Sequence, residues 1–191
     1  MSGFSQLMMR KKGGSNIIYA PVLDGTEAIT TISRQQSPII TNNILTGQNS
    51  VGNAGCGFLS EGWDNTILWE LNCKVMWTGA NEGFCIYGGI STDRDKSCVK
   101  ITEWEIWVYG SKSQRIASFS NAMGVWCDVK VTKTSSTGLD LLITYNGNTK
   151  LSRSIDWSDL PQRDRVFIGI DGWDTGRTKY NSIKDIVVTK I

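Results

Sequence analysis

Apolar and polar residues alternate along three stretches of the chain, Trp69–Trp77, Glu103–Tyr109 and Val125–Val131. A β-strand turns successive side chains to opposite faces, so each stretch presents one apolar face and one mixed face. The apolar phase assigns Trp69, Trp77 and Trp104 to an expected core, with Cys73 and Cys127 beside them. The mixed phase sets Glu103, Glu105, Trp107 and Tyr109 on one face, and Trp126, Asp128 and Lys130 on another. Flat aromatics beside carboxylates and amides suit sugar rings, whose C–H faces stack while the hydroxyls take hydrogen bonds.

Strand signals continue on both sides of these stretches. Ile17–Tyr19 leads to Asp24-Gly25, a tight-turn dipeptide, and Ile39–Leu45 is a weakly patterned strand interrupted by Asn42-Asn43. Residues 51–64 read as irregular loop around a short Cys56–Leu59 strand, and Gly83–Tyr87 precedes the second tryptophan stretch. Leu139–Tyr145 runs into Asn146-Gly147, a strong hairpin signal, and Arg165–Ile170 and Ile183–Val188 close the chain. No segment holds a helical period. Roughly ten to twelve short strands with turns between them predict an all-β fold, a two-sheet antiparallel jelly-roll sandwich over residues 17–191. Residues 1–16 read as an arm, with Phe4, Leu7, Met8 and Met9 followed by Arg10-Lys11-Lys12 and two glycines. This is either a disordered terminus or a peptide that docks into a partner.

Composition narrows the chemistry. The 191 residues are 40% hydrophobic, enough for one large domain to bury its own core without staples. Net charge is +2 and Arg10-Lys11-Lys12 is the one basic run, so a nucleic-acid partner is not expected. No apolar run reaches the ~20 residues of a membrane helix, and membrane insertion is not expected either. The sequence has no histidine, which excludes Ser-His-Asp and Cys-His hydrolysis and any metal site built on imidazole. Five cysteines without a CxxC pair read as reduced structural thiols. Met1–Asn16 lacks the continuous apolar core of a secretory signal, so synthesis in a reducing cytoplasm is expected.

Several stretches, in order, resemble the concanavalin A-like lectin/glucanase superfamily, and within it the laminin-G-like domains of bacteriophage tail and head-fibre proteins. They are Leu23-Asp24-Gly25-Thr26, Trp69–Val75, Gly124–Val131, Tyr145-Asn146-Gly147-Asn148 and Tyr180–Ile186. The resemblance covers residues 17–191. It implies a virion structural or fibre protein, made in the host cytoplasm, whose lectin-like domain binds a host-surface glycan or receptor. It also implies contacts with other virion proteins through residues 1–16, a homo-oligomer, and no cofactor. A purely architectural decoration or adaptor protein, with its aromatic faces used as subunit interfaces, is the alternative.

The same superfamily includes retaining glycosidases with carboxylates at E-x-D-x-x-E spacing, where two acids about 5 Å apart share a strand face. Glu103 and Glu105 match the first two positions, but the middle acid is Glu and the third position is Val108. A depleted set of this kind reads as binding surface, so a non-enzyme is expected. The candidate ligand-binding residues are therefore Trp107, Tyr109, Glu103 and Glu105, with the loop tryptophans Trp63 and Trp173. Trp157 suits either a loop or a plug at the end of the sandwich. Asp171 and Asp174, flanking Gly172-Trp173, read first as turn-forming acceptors and secondly as oxygen ligands for calcium.

Overall fold

The computed structural model describes residues 16–31, 38–48, 56–78, 83–89, 98–110, 113–118, 120, 123–158, 160, 163–171 and 179–191. Expectations for residues 1–15 and for Trp173 and Asp174 lie outside these, as does the side chain of Asp171. The described residues contain strands and turns and no helix. In chain order the strands are β1 (Ile17–Tyr19), β2 (Ile29–Thr31), β3 (Ile39–Thr41), β4 (Ile44–Gln48), β5 (Cys56–Leu59) and β6 (Trp63–Asp64). Next come β7 (Trp69–Met76), β8 (Gly83–Tyr87), β9 (Cys98–Ile101), β10 (Glu105–Tyr109) and β11 (Ser113–Ser118). The last five are β12 (Trp126–Lys133), β13 (Gly138–Tyr145), β14 (Asn148–Asp156), β15 (Arg165–Asp171) and β16 (Lys179–Lys190).

They form two antiparallel sheets of eight strands. Sheet one runs β14-β13-β12-β7-β16-β4-β3, with β1 also on β16. Sheet two runs β11-β10-β9-β8-β15-β5-β2, with β6 also on β15. The core lies between them. Sheet one contributes Leu71, Val75, Val129, Val131, Leu141 and Ile183, and sheet two contributes Phe84, Ile86, Val99, Ile101, Ile106 and Ile168. Cys73 and Cys127 face inward as their phase predicts, and Cys73, Cys85, Cys98 and Cys127 are all buried free thiols. Two Asn-rich turns are hairpins: Asn42 and Asn43 join β3 to β4, and Asn146-Gly147 joins β13 to β14, all four with left-handed φ.

One end of the sandwich is closed by aromatics. Tyr19, Trp63, Trp69 and Trp157 touch in sequence, with ring centroids 5.4, 5.2 and 6.5 Å apart. Trp63 is 2% exposed, so it belongs to the core and not to a recognition loop; the two-residue β6 carries it inward. Beside this stack the inward phase of β12 ends on Lys133, a buried cation. Asn65 meets it. The Lys133 ammonium donates to the Asn65 backbone carbonyl and, at 3.3 Å, to its Oδ1, which also accepts from Trp69 Nε1. Asn65 in turn donates to the carbonyls of Asp164 and Arg163. Burial pushes the Lys133 ammonium below the ordinary lysine range, and the nearby Asp64 opposes that shift.

Strand β16 contains a phase correction. Lys184 pairs with Lys74 and Val187 with Asn72, so Asp185 and Ile186 together oppose Cys73. Asp185 takes the left-handed conformation, φ 53°, which makes the bulge. Ile183, Ile186 and Val188 consequently all reach the core, although their spacing is not period two. Asp185→Val should cost about 1–2 kcal/mol, because a β-branched residue resists positive φ, whereas Asp185→Gly should be nearly neutral. Urea denaturation of the two variants checks this; equal midpoints would remove the bulge's role.

Candidate functional site

The outward phase of sheet two carries the site. On β10 the residues Glu105, Trp107 and Tyr109 are half-buried and alternate with the buried Ile106 and Val108. The Trp107 and Tyr109 rings stack with centroids 5.9 Å apart and planes 19° apart. The neighbouring strands complete the row. Trp107 pairs with Arg115 on β11 and Lys100 on β9, and Lys100 pairs in turn with Cys85. Tyr109 pairs with Cys98 and packs on a second apolar cluster of Phe58, Cys85, Tyr87, Cys98 and Phe167.

A bulge in β11 aims the arginine. Ala117 pairs with the inward Ile106 and Arg115 with the outward Trp107, which leaves Ile116 as the extra residue. In a regular strand Arg115 and Ala117, two residues apart, would share a face; the bulge sets them on opposite ones. Arg115 Nη1 donates to Glu105 Oε1 at 2.8 Å, and Trp107 Nε1 donates to Glu105 Oε2 at 2.7 Å. Both carboxylate oxygens are thus engaged, and the indole is pinned between this bond and the Tyr109 ring. Lys100 is nearly buried, and its stem crosses Gly83, where a Cβ would fall 2.6 Å from Lys100 Cγ and Cε. A side chain at position 83 would push the Lys100 stem aside. The Arg115 hydrogen bond holds the Glu105 carboxyl below the ordinary glutamate range; burial opposes it, and the Trp107 hydrogen bond and the charges of Arg115 and Lys100 add smaller lowering effects.

Glu103 and Trp104 are placed differently from the expectation. The strand begins at Glu105, and Thr102–Glu105 is a turn closed by Thr102 N–H donating to the Glu105 carbonyl at 2.8 Å. Thr102 Oγ1 accepts the N–H groups of Trp104 and Glu105, at 3.3 and 2.9 Å. Since residues 103 and 104 lie in the turn, alternation does not reach them. Glu103 is 2% exposed, so it stands apart from the outward face, and Trp104 is 42% exposed and so is not a core residue. The turn contains no Gly, Asn or Pro, which is why its sequence reads as continuous strand. Arg115 and Lys100 were not foreseen, because a bulge shifts the phase of β11 and all four residues of β9 are buried, so neither strand shows a clean alternation.

The other expected mixed face is self-paired. On the outside of sheet one, Lys184 Nζ sits 4.4 Å from the Trp126 ring centroid, Lys130 bonds Glu70 at 2.7 Å and Lys74 lies 3.6 Å from Asp128. A shallow groove of about 490 Å³ there is lined by Lys130, Thr132, Asp140, Leu142, Ser152 and Ser154, with Ser154 donating to Asp140. It offers no aromatic floor. Among the described residues no cluster of acids, cysteines or histidines could hold a metal ion.

Arg115→Met should return the Glu105 carboxyl toward its ordinary value, as seen in an NMR pH titration. The sign follows from the depressed folded value: the ion pair's stabilisation is complete above the unfolded glutamate pKa and is lost as pH falls through the folded one. An unmoved Glu105 titration would contradict the assignment.

No protein-family model matches the sequence, and no curated protein sequence matches it. Solved structures do share its fold. The VIP36 exoplasmic/lumenal domain, bound to Ca2+ and Man3GlcNAc, superposes with TM-score 0.62 at 12% identity, covering 94% of this chain and 90% of that one. Peanut lectin with a nine-residue peptide gives TM-score 0.56 at 17% identity over 88% of this chain and 94% of that one. The CBM2 module of the evolved Dit protein of Lactobacillus casei BL23 phage J-1 gives 0.61 at 13% identity over 93% and 97%. With its two antiparallel sheets and these neighbours, the chain is a jelly-roll sandwich of the concanavalin A-like lectin fold.

Proposed function

We propose that this protein is a non-enzymatic, carbohydrate-binding component of a virion. The observation that carries the reading is the outward row of Trp107 and Tyr109, stacked beside a Glu105 carboxylate fixed by Arg115. It pairs an aromatic surface for the C–H face of a pyranose with an anionic acceptor and a cationic donor for its hydroxyls. The fold likeness to a lectin, to a sugar-bound lumenal domain and to a phage module supports it. In this reading Trp107, Tyr109 and Glu105 contact a host-surface glycan or receptor, and Glu103 supports the turn from within. Residues 1–16 join the chain to other virion proteins, and a homo-oligomer multiplies weak single-site affinity. The buried free thiols fit synthesis in a reducing cytoplasm.

The non-enzymatic part rests on the two acids. Glu105 is held ionised by Arg115 and so is poorly suited to donate a proton, while Glu103 is buried within the turn and Val108 points into the core. On a printed glycan array the wild type should bind, and Trp107→Ala should lose at least about tenfold in affinity. Reducing-sugar release that vanishes in Glu103→Gln or Glu105→Gln would overturn the non-enzymatic reading.

A second reading, architectural, is favoured by one feature of the surface. Ile17, Leu68 and Ile191 are exposed where β1, β16 and the start of β7 meet. Such a patch suits a subunit contact. A blank array together with a change of oligomeric size in Leu68→Lys would support this reading in place of the first.

A further inference from the structure

Three of the exposed large apolar side chains gather in one place. Ile17 pairs with Thr189, and Thr189 with Glu70, so these three form one cross-strand row over β1, β16 and β7. Thr189 follows the buried Val188 and Glu70 follows the buried Trp69, which sets the row on the outer face of sheet one. Ile191 lies two residues beyond Thr189 and Leu68 two residues before Glu70. The Ile191 N–H donates to the Leu68 carbonyl at 3.3 Å, which carries the ladder on and keeps both on that face. Ile17, Leu68 and Ile191 are 49%, 42% and 57% exposed.

Beside this patch lies an open edge. Strand β1 pairs with β16 and, among the described strands, with no other. The long edge strands β14 and β11 carry Lys150, Arg153 and Arg115, charges that resist pairing with another chain. Ile17-Ile18-Tyr19 carries none, and Ile18 is exposed as well.

The occupant is small. Ile17, Ile18, Leu68 and Ile191 are four residues, whereas a stable face-to-face dimer takes roughly 20–30 a side. A short apolar segment fits instead, and the chain holds one outside the described residues, with Phe4, Leu7, Met8 and Met9 within six positions. Its tether ends at the patch: Asn16, whose carbonyl accepts from the Lys190 N–H at 2.7 Å, leads directly into Ile17. Charge agrees. Arg10-Lys11-Lys12 follows the apolar segment, and the charges of Glu27 and Glu61 reach Tyr19 at the other end of β1, against the one cation Arg165.

Direction decides which copy is met. Strand β1 is antiparallel to β16, so followed backwards from Ile17 to Asn16 it heads past Lys190 and out of the ladder. Only Arg10–Ser15 could turn Met9 back onto its own molecule, and ordering such a reversal costs entropy that seating on a second copy avoids. Resting on the homo-oligomer of the reading above, we propose that Phe4–Met9 of one copy seats on the Ile17, Leu68 and Ile191 patch of a second copy, which returns its own segment to the first. The exchange fills both patches and closes as a dimer.

Light scattering measures the mass of the full chain, of Leu7→Asp, of Leu68→Lys and of an equimolar mixture of the two variants. The wild type should be a dimer and each variant should fall to single-copy mass. The mixture should regain dimer, weaker than the wild type, because the Leu68→Lys copy keeps an intact segment and the Leu7→Asp copy an intact patch. Since Leu68 is exposed, its variant should keep the wild-type urea midpoint, which separates lost assembly from lost fold. If either variant keeps the dimer, the segment and the patch do not meet, and the homo-oligomer stands without this inference. A mixture that stays at single-copy mass overturns the exchange between copies. A monomeric wild type sinks the homo-oligomer and the inference with it.

Discussion

Everything in this molecule depends on side-chain phase. Each sheet buries one face, and a strand that slips by one residue turns its whole apolar set toward water. Long regular strands keep phase by themselves, as β7 and β12 do with alternate residues buried from end to end. Where the sequence breaks period two, an extra residue restores it. Asp185 does so in β16, returning Ile186 and Val188 to the core, and Ile116 does so in β11. The second correction has a chemical product as well as a packing one, because it sets Arg115 opposite Trp107, where it can bond Glu105. Core and site are consequences of one geometric rule.

Much of the fold was legible in the residues. The period-two pattern located β7 and β12 to within a residue or two, and Asn146-Gly147 located a hairpin, because both signals are local and strong. Strands β2, β9, β11 and β14 were not legible. In β14 only Leu151 and Ile155 are buried, since an edge strand needs few apolar residues, and in β9 all four residues are buried, so nothing alternates. The site was half legible. Trp107, Tyr109 and Glu105 follow from alternation, but Arg115 depends on a bulge and Lys100 on a fully buried strand. The turn at Thr102–Glu105 is made by a threonine hydroxyl and an indole from the other sheet, neither of which carries a turn signature.

The two ends of the sandwich divide the work of its tryptophans. At one end Trp63, Trp69 and Trp157 fill the gap between sheets, and Asn65 satisfies the Lys133 ammonium among them. A cation held by neutral amide oxygens is costly to strand, so the contacts of Asn65 fasten β12 and β15 to the turn before β7. At the other end Trp77 is buried beneath a hairpin tip that exposes Trp104.

The buried thiols occupy two separate layers. Cys73 and Cys127 lie between the sheets, and Cys85 and Cys98 lie in the cluster behind Tyr109 on the outside of sheet two. Burial pushes the Cys73 thiol well above the ordinary cysteine range, which lowers its nucleophilicity in the folded chain. Such sulfurs react with an alkylating reagent only when their layer opens. The chain therefore carries its own pair of clocks: one pair of cysteines times the separation of the sheets, and the other times the uncovering of the layer beneath the aromatic row.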